Sequence, residues 1–417
     1  MKTGAKKYYH WVIAVIVFLE MIVYGGLINS IGIYTVPITE ELGVGRGAYT
    51  VAGIPYGLFS LVSTLLTGAL LPKLGYKRLT VISLIITSAG YVSIGLAPGL
   101  VGHAIGRGFI GLGYGMCFTA GSVWIIKKWF HKHLGLVIGI ISMASGLGGS
   151  LMTIILTRLM VSFGWRTAVL IGSLLPIAVS LLYLLVYNTP EDIDLKPYGM
   201  GQMTTKQLRK ENLWVGQTLQ ELYKNPLFYI MCFATLLSNM CVYTTSAVIN
   251  PHFQDNGYSQ TAAANYDSVL MLTLACFKLL MGWVSDRFGA KPVAILCLTF
   301  SAVGQWMLSN VSDPTLSYVA VVMFSIGLCL TTVAIPLIAL PLFGTRGSTE
   351  INGIVIGMVS LASLITPPIC NFIYDKIGTY SPSFKVASVL EVFLIGIYFV
   401  MFAMAKKDRQ KELDAQK

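Results

Sequence analysis

Charge is what this 417-residue chain lacks. Asp, Glu, Lys and Arg together make up 11% of it, while 55% is hydrophobic. A soluble domain carries about 25% charged residues, so a water-soluble globule is excluded. No Ser/Thr-rich or acidic segment is present that could form an attached catalytic domain. The patterns G-x-x-x-x-G-K-[ST], H-E-x-x-H and G-x-S-x-G are missing, which argues against nucleotide hydrolysis, zinc proteolysis and serine hydrolysis. The cysteines number seven. An odd set without close pairing argues against a disulfide framework or a thiolate metal site. An enzyme, a cofactor and a metal are therefore not expected.

What is present is a series of apolar runs of about 20 residues or more, each long enough to cross a bilayer as a helix. Lipid leaves such segments no other means of satisfying their backbone groups. The runs predict an all-α membrane protein with twelve spans. These lie at 9–37, 48–72, 78–97, 99–126, 134–159, 165–187, 225–250, 262–285, 291–310, 314–342, 349–372 and 383–405. The first reads as an uncleaved helix, because its apolar stretch outruns a signal peptide. Lys and Arg set the orientation. With the N-terminus inside, 22 of the 29 fall in inner segments and five in outer loops. Both termini are then cytoplasmic and the expected location is the plasma membrane, or the cytoplasmic membrane of a bacterium. The net charge of +11 needs no nucleic acid to explain it.

The only long polar segment divides the spans six and six. The expected organisation is an N-terminal half at 1–187, a cytoplasmic loop at 188–224, a C-terminal half at 225–405 and a basic tail at 406–417. The stretch 213–225 reads as an amphipathic surface helix or a loose tether. The halves echo each other: GALLPKLGYKRLTV follows span 2 and GWVSDRFGAKPVAI follows span 8. Gly68 and Gly282, Lys73 and Arg287, Gly75 and Gly289, Lys77 and Lys291 fall in register at an offset of 214. Such duplication marks secondary transporters.

Gly282, Asp286, Arg287, Gly289 and Lys291 resemble the G-x-x-x-D-R-x-G-x-K gate loop of the major facilitator superfamily. The first-half copy has Pro72 at its acidic position, which puts its latch in doubt. Arg107 with Gly111, Gly113 and Gly115 is similar to that superfamily's span-4 element. WFHKHLGLVIGIISMASGLGGSLM, CFKLLMGWVSDRFGAKPV and FIYDKIGTYSPSF are similar to the monocarboxylate and oxalate–formate transporter group. In that group the span-8 cation is commonly an arginine, and here it is Lys278. The group's span-8 aspartate falls at Leu274, its span-1 lysine at Asn29, and span 11 has no lysine. The resemblance implies two six-helix, pseudo-symmetric halves that rock about a cavity lined by spans 1, 2, 4, 5, 7, 8, 10 and 11. It favours a singly charged carboxylate over a dicarboxylate.

Two lone cations lie in apolar runs: Arg107 in span 4 and Lys278 in span 8. Charge at membrane depth is costly and is kept for function or for a partner. Guanidinium binds carboxylate through paired hydrogen bonds, and a buried ammonium pairs with an anion or sheds its proton. Asp267, on the face of Lys278 but about 16 Å along the helix, reads as a mouth residue. Glu20, with Tyr24 a turn on, could carry a proton or neutralise Arg107 or Lys278. Span 7 places Asn239, Tyr243, Ser246 and Asn250 on one face; span 2 does so with Tyr56, Ser60, Ser63 and Thr67. Such faces line cavities or join helices. Tyr114 and Phe118 share the face of Arg107. Glu391 in span 12 reads as structural. Lys278, Arg107, Asn239, Tyr243, Tyr24, Asn29, Tyr56 and Tyr114 are the expected substrate contacts, and Glu20 the proton-coupling group. The expected protein is a monomeric carrier of a small organic anion, exchanging protons or a counter-anion across the lipid bilayer. A proton-driven exporter of the same fold and a non-transporting sensor are the alternatives.

Overall fold

The structure is a computed structural model that describes residues 8–118, 120–130, 134–199, 219–311, 313–335, 338, 342–343 and 348–415. Among these residues the secondary structure is helical, apart from one isolated bridge between Phe130 and Tyr198. The spans are α1 (Tyr9–Leu42), α2 (Arg46–Thr67) and α3 (Lys73–Leu96), then α4 (Leu100–Cys117), which resumes as Ala120–Trp129. There follow α5 (Leu134–Phe163), α6 (Trp165–Leu182), α7 (Pro226–Ser246), α8 (Gln260–Phe288) and α9 (Ala290–Leu308). Last come α10 (Pro314–Cys329, continued by a π turn at Leu330–Ala334), α11 (Ser348–Ile377) and α12 (Ser381–Ala415). Eleven of the twelve are apolar and long enough to cross a membrane. The exception is α4, whose first stretch carries His103 and Arg107.

The helices form two compact units. Unit 1 comprises Met1–Thr205 with Tyr258–Ala275; unit 2 comprises Lys206–Gly257 with Cys276–Lys417. In unit 1, α4 has two glycine stripes. A Cβ at Gly106 would strike the Gly90 carbonyl, and one at Gly113 would strike Ser83 and Thr87, so this stripe lies on α3. A Cβ at Gly111 or Gly115 would meet the backbone of Tyr56 or Ser60, so the second stripe lies on α2. The missing side chains let the backbones approach closely, which is how membrane helices gain packing without a hydrophobic drive. The polar rhythm of α2 uses the same contact: Ser63 donates to the Gly111 carbonyl and Thr67 to those of Gly115 and Met116. Of the two roles open to that face, Ser63 and Thr67 join helices. Along the α1–α5 seam, Gly25 and Gly26 face Ser145 and Gly148.

The duplication reaches the backbone. Gly43, Gly75 and Gly164 all have positive φ, and so do Gly257, Gly289 and Gly378, each 214 residues later. Gly75 and Gly289 share a conformation that is open essentially only to glycine, at φ 74, ψ 159 and φ 86, ψ 176. Packing repeats as well: Gly304 presses on the Phe324 backbone and Gly327 on Ser301, in register with Gly90 and Gly113 against Thr87.

The loop after α2 is tied to the end of the α6 segment: the Asn188 Oδ1 accepts from the Lys77 backbone N–H at 2.9 Å, and the Lys77 ammonium donates to the Leu184 carbonyl at 3.0 Å. After α6 the chain runs back under unit 1. There His10 contacts the Lys196 carbonyl and Tyr198 N–H donates to the Trp129 carbonyl, inside a ring cluster of Trp11, Phe130 and Tyr198. Of the stretch 213–225, residues 213–218 lie outside the described residues, and Leu219–Leu222 is a single helical turn.

Candidate functional site

Each unit holds its own polar features. In unit 1 the two glycine stripes of α4 occupy the faces toward α2 and α3, and His103, Arg107, Tyr114 and Phe118 follow one another on what remains. Arg107 is 8% exposed. Its guanidinium lies over the Tyr49 ring, Cζ 4.3 Å from the centroid. Gly53 makes the room, since a Cβ there would fall 2.6 Å from Nη1. Among the described residues Arg107 has no ion pair and no hydrogen bond, and Nε is buried with no partner.

Around it are further buried polar atoms in the same condition. His103 is fully buried, packs against the rings of Tyr49 and Trp165, and has no partner for either ring nitrogen. The Tyr91 hydroxyl is also buried and unpartnered. Glu41, the carboxylate within electrostatic reach of His103, is committed elsewhere: it pairs with Arg166 at 2.7 Å and accepts from the Trp165 indole N–H. Arg166 also caps the end of α3 by donating to the Gly95 and Ala97 carbonyls. The pocket is therefore rich in donors and has no acid to match them among the described residues. Buried polar groups are ordinarily satisfied, so each exception calls for a reason.

From Arg107 the expected aromatic contacts run on as a chain. Tyr56 and Tyr114 have ring centroids 5.8 Å apart, Tyr114 stacks on Phe118 at 4.5 Å, and Phe118 meets Tyr24 edge-on at 6.1 Å. The Tyr24 hydroxyl contacts Ser83 and Thr87 of α3. Asn29 is half-buried and donates to the Ser145 carbonyl. Asp267 belongs to unit 1 and is buried there.

Glu20 stands apart from Arg107. It is fully buried, and its Oε2 accepts from the hydroxyls of Tyr76 at 3.0 Å and of Tyr183. These join α1, α3 and the end of α6. The counter-charge pairing with Arg107 is absent, because Arg107 lies beside the opening turns of α2, at the opposite end of α3 from Tyr76.

In unit 2, Lys278 of α8 is half-buried and within electrostatic reach of Cys329 of α10. Asn239 is fully buried: its Nδ2 donates to the Thr235 carbonyl and its Oδ1 accepts from Thr331 at 2.7 Å. Thr331 lies in the π turn, a distortion frequent at functional sites. Tyr243 is half-buried one turn further on. The expected four-residue face of span 7 stops there: α7 ends at Ser246, and Asn250 belongs to a separate helix, Ile249–Asp255. Gly282 is surrounded by open space, Arg287 lies over the rings of Trp283 and Phe288, and Lys291 lies 4.7 Å from the Phe399 centroid. The Asp286 side chain is not among those described. An apolar groove of 1330 Å³ on this unit, lined by Tyr229, Phe233, Trp306, Val392 and Phe393, offers nothing to an anion and is the kind of surface that lipid covers.

Three residues escaped the sequence reading. His103 gave a usable signal, as a lone histidine one turn before Arg107 in the same apolar run. Tyr49 and Tyr91 gave none, because nothing in their local pattern tells of Arg107. Glu391 was visible but isolated. In the structure it is fully buried and ends a chain in which Thr245 donates to Gln305, Gln305 to Ser301, and Ser301 to Glu391.

The Major Facilitator Superfamily model matches residues 13–266 and 231–417. The chain belongs to the major facilitator superfamily. Within it, the mouse protein named Monocarboxylate transporter 11 is 26% identical over 392 residues, covering 91% of this chain and 84% of that one. The human protein of the same name is 25% identical, covering 91% and 80%. Human Monocarboxylate transporter 12 is 25% identical over 72% of this chain and 63% of its own. Among solved structures, the nucleoside transporter NupG matches with a TM-score of 0.73 at 12% identity, covering 94% of this chain and 98% of that one. A D-xylose-proton symporter matches with a TM-score of 0.70 at 13% identity, covering 92% and 97%. The superfamily fold of twelve helices accounts for the spans, and the chain is a multi-pass membrane transporter resembling the monocarboxylate group.

Proposed function

We propose that this transporter carries a small organic anion, a monocarboxylate, by alternating access. The observation that carries the reading is Arg107, a buried guanidinium without a counter-charge among the described residues. An arginine so placed is expensive unless something anionic visits it, and its planar fork suits a carboxylate. Within unit 1, Tyr24, Asn29, Tyr56 and Tyr114 supply polar and aromatic surface; within unit 2, Lys278 supplies a second positive group and Asn239 and Tyr243 polar surface. The names of the relatives point the same way. The drive is proton symport or exchange for a second anion, with Glu20 a candidate proton site. The Lys and Arg distribution favours cytoplasmic termini, and the repeat favours functional halves at 1–187 and 225–405.

The test is uptake of labelled acetate, propionate, lactate and pyruvate into proteoliposomes. Saturable uptake of at least one is expected, abolished in Arg107→Gln and reduced at least tenfold in Lys278→Gln. Wild-type protein that moves none of these acids, or Arg107→Gln with undiminished uptake, would overturn the assignment.

A further inference from the structure

We infer that His103 is the group that carries the proton when an anion occupies Arg107. The inference rests on the anion reading above and adds the coupling residue to it. His103 and Arg107 are one turn apart on α4, and both lie against the Tyr49 ring. Both ring nitrogens of His103 are buried and unpartnered, so one is free to take a proton. The charged groups around it are few. Arg107 lies on its own helix, and Arg166 lies on α6 in an ion pair with Glu41 of α1. Tyr34, Tyr49 and Tyr91 add only hydroxyls, and Trp165 adds a ring.

The electrostatics then couple the two events. Guanidinium keeps its charge at any physiological pH. A proton on His103 would place a second positive charge in the same desolvated pocket, and like charges there oppose ionisation. A carboxylate on Arg107 cancels that repulsion. The anion therefore favours the proton, and by reciprocity the proton favours the anion. The proton comes from water at one membrane face onto a ring nitrogen and leaves to water at the other. One anion and one proton cross together without net charge. Glu20 is less suited, since two tyrosine hydroxyls already hold it away from Arg107.

The test separates exchange from accumulation, using whichever of the four labelled acids the wild type carries. Anion-for-anion exchange needs no net proton movement; accumulation driven by a pH gradient does. In His103→Gln, accumulation relative to exchange is expected to fall at least tenfold, and a lumenal pH dye is expected to record no proton entering with the anion. Exchange itself should persist at a tenth of the wild-type rate or better, which shows that the protein is folded. Proton entry lost in Glu20→Gln but kept in His103→Gln would place the proton on Glu20 and overturn the inference. Wild-type accumulation in His103→Gln overturns the inference while leaving the anion reading intact. Loss of exchange together with accumulation also overturns it, because His103 would then be structural. A wild type that transports none of the acids fails the anion reading instead.

Discussion

Replacing Arg107 with methionine should make the protein more stable and less active. A central arginine in a spanning helix costs about 2.5–3.5 kcal/mol. Stacking over Tyr49 at 4.3 Å offsets about 0.5–2 kcal/mol of that. Nothing else among the described residues offsets the rest, and the buried Nε adds about 1 kcal/mol for an unmade hydrogen bond. Methionine has similar reach and fits irregular space. The net effect is a stabilisation of about 1.5–4 kcal/mol, in line with the gain often seen when buried charge is replaced by apolar side chains. Function goes the other way. Two charge-assisted bonds to a carboxylate contribute about 1.5–3 kcal/mol each, so half-saturation should rise roughly 10²- to 10⁴-fold. Thermal unfolding in detergent, followed by a thiol-reactive dye on the buried Cys241, Cys297, Cys329 and Cys370, reads the first effect; proteoliposome uptake reads the second. A lowered Tm would mean that the guanidinium holds the bundle together. Near-normal uptake would mean that the carboxylate sits elsewhere. Either result refutes the reasoning.

Glu20→Ala strips the Tyr76 and Tyr183 hydroxyls of their shared acceptor and should destabilise by about 2–4 kcal/mol, whereas Glu20→Gln should stay within about 1 kcal/mol of wild type; detergent unfolding curves compare them. His252, in the helix beyond α7, donates to the Leu308 carbonyl, and burial pushes its pKa down from 6.5 to about 4. The neutral form is the one the fold accepts, so its stability contribution is whole above pH 6.5 and is lost as pH falls toward 4. Wild type should lose up to about 3 kcal/mol more than His252→Gln across that window, measured as Tm against pH. Gly90→Ala and Gly304→Ala should each cost about 1–3 kcal/mol, because their Cβ atoms would strike neighbouring backbone. Gly282→Ala, in open space, should leave the yield of monodisperse protein unchanged.

The spans, their number and the gate-loop repeat were legible because lipid imposes one answer on a 20-residue apolar run, and because glycines in strained turns leave a fixed mark. Gly75 and Gly289 were paired from sequence, and the structure gives them the same rare backbone. Helix ends were less legible. Span 7 carried its polar rhythm through Asn250, but the helix stops at Ser246, and periodicity has no term for that break. The serines and threonines of α2 could equally have faced water. Only the glycines of α4, apposed in space but some 48 residues away in sequence, decide that Ser63 and Thr67 join helices. The neighbours of His103 and Arg107 come from α2, α3 and the start of α6, so no local pattern could have assembled the pocket. The Glu20 pairing failed for the same reason: depth within a span does not tell which end of the neighbouring helices a residue meets.

The repeat also separates scaffold from chemistry. Positions that fix backbone approach recur 214 residues on: Gly43 with Gly257, Gly75 with Gly289, Gly90 with Gly304, Gly113 with Gly327 and Gly164 with Gly378. The lone charges within the spans do not, unlike Lys73 with Arg287 and Lys77 with Lys291 in the gate-loop repeat. Counterparts of Glu20, His103 and Arg107 are Ala234, Ser317 and Val321, and the counterpart of Lys278 is Thr64. Packing constrains both copies equally, because each six-helix unit must bring its backbones together on the same terms. A buried charge is under the opposite pressure, since every copy adds a desolvation cost that only a ligand or a partner offsets. A duplicated fold therefore keeps its glycines in pairs and its membrane-buried charges single. Two unpaired features on one α4 face, His103 and Arg107, depart from the repeat together at adjacent turns, which is the pattern expected of groups that act on one ligand.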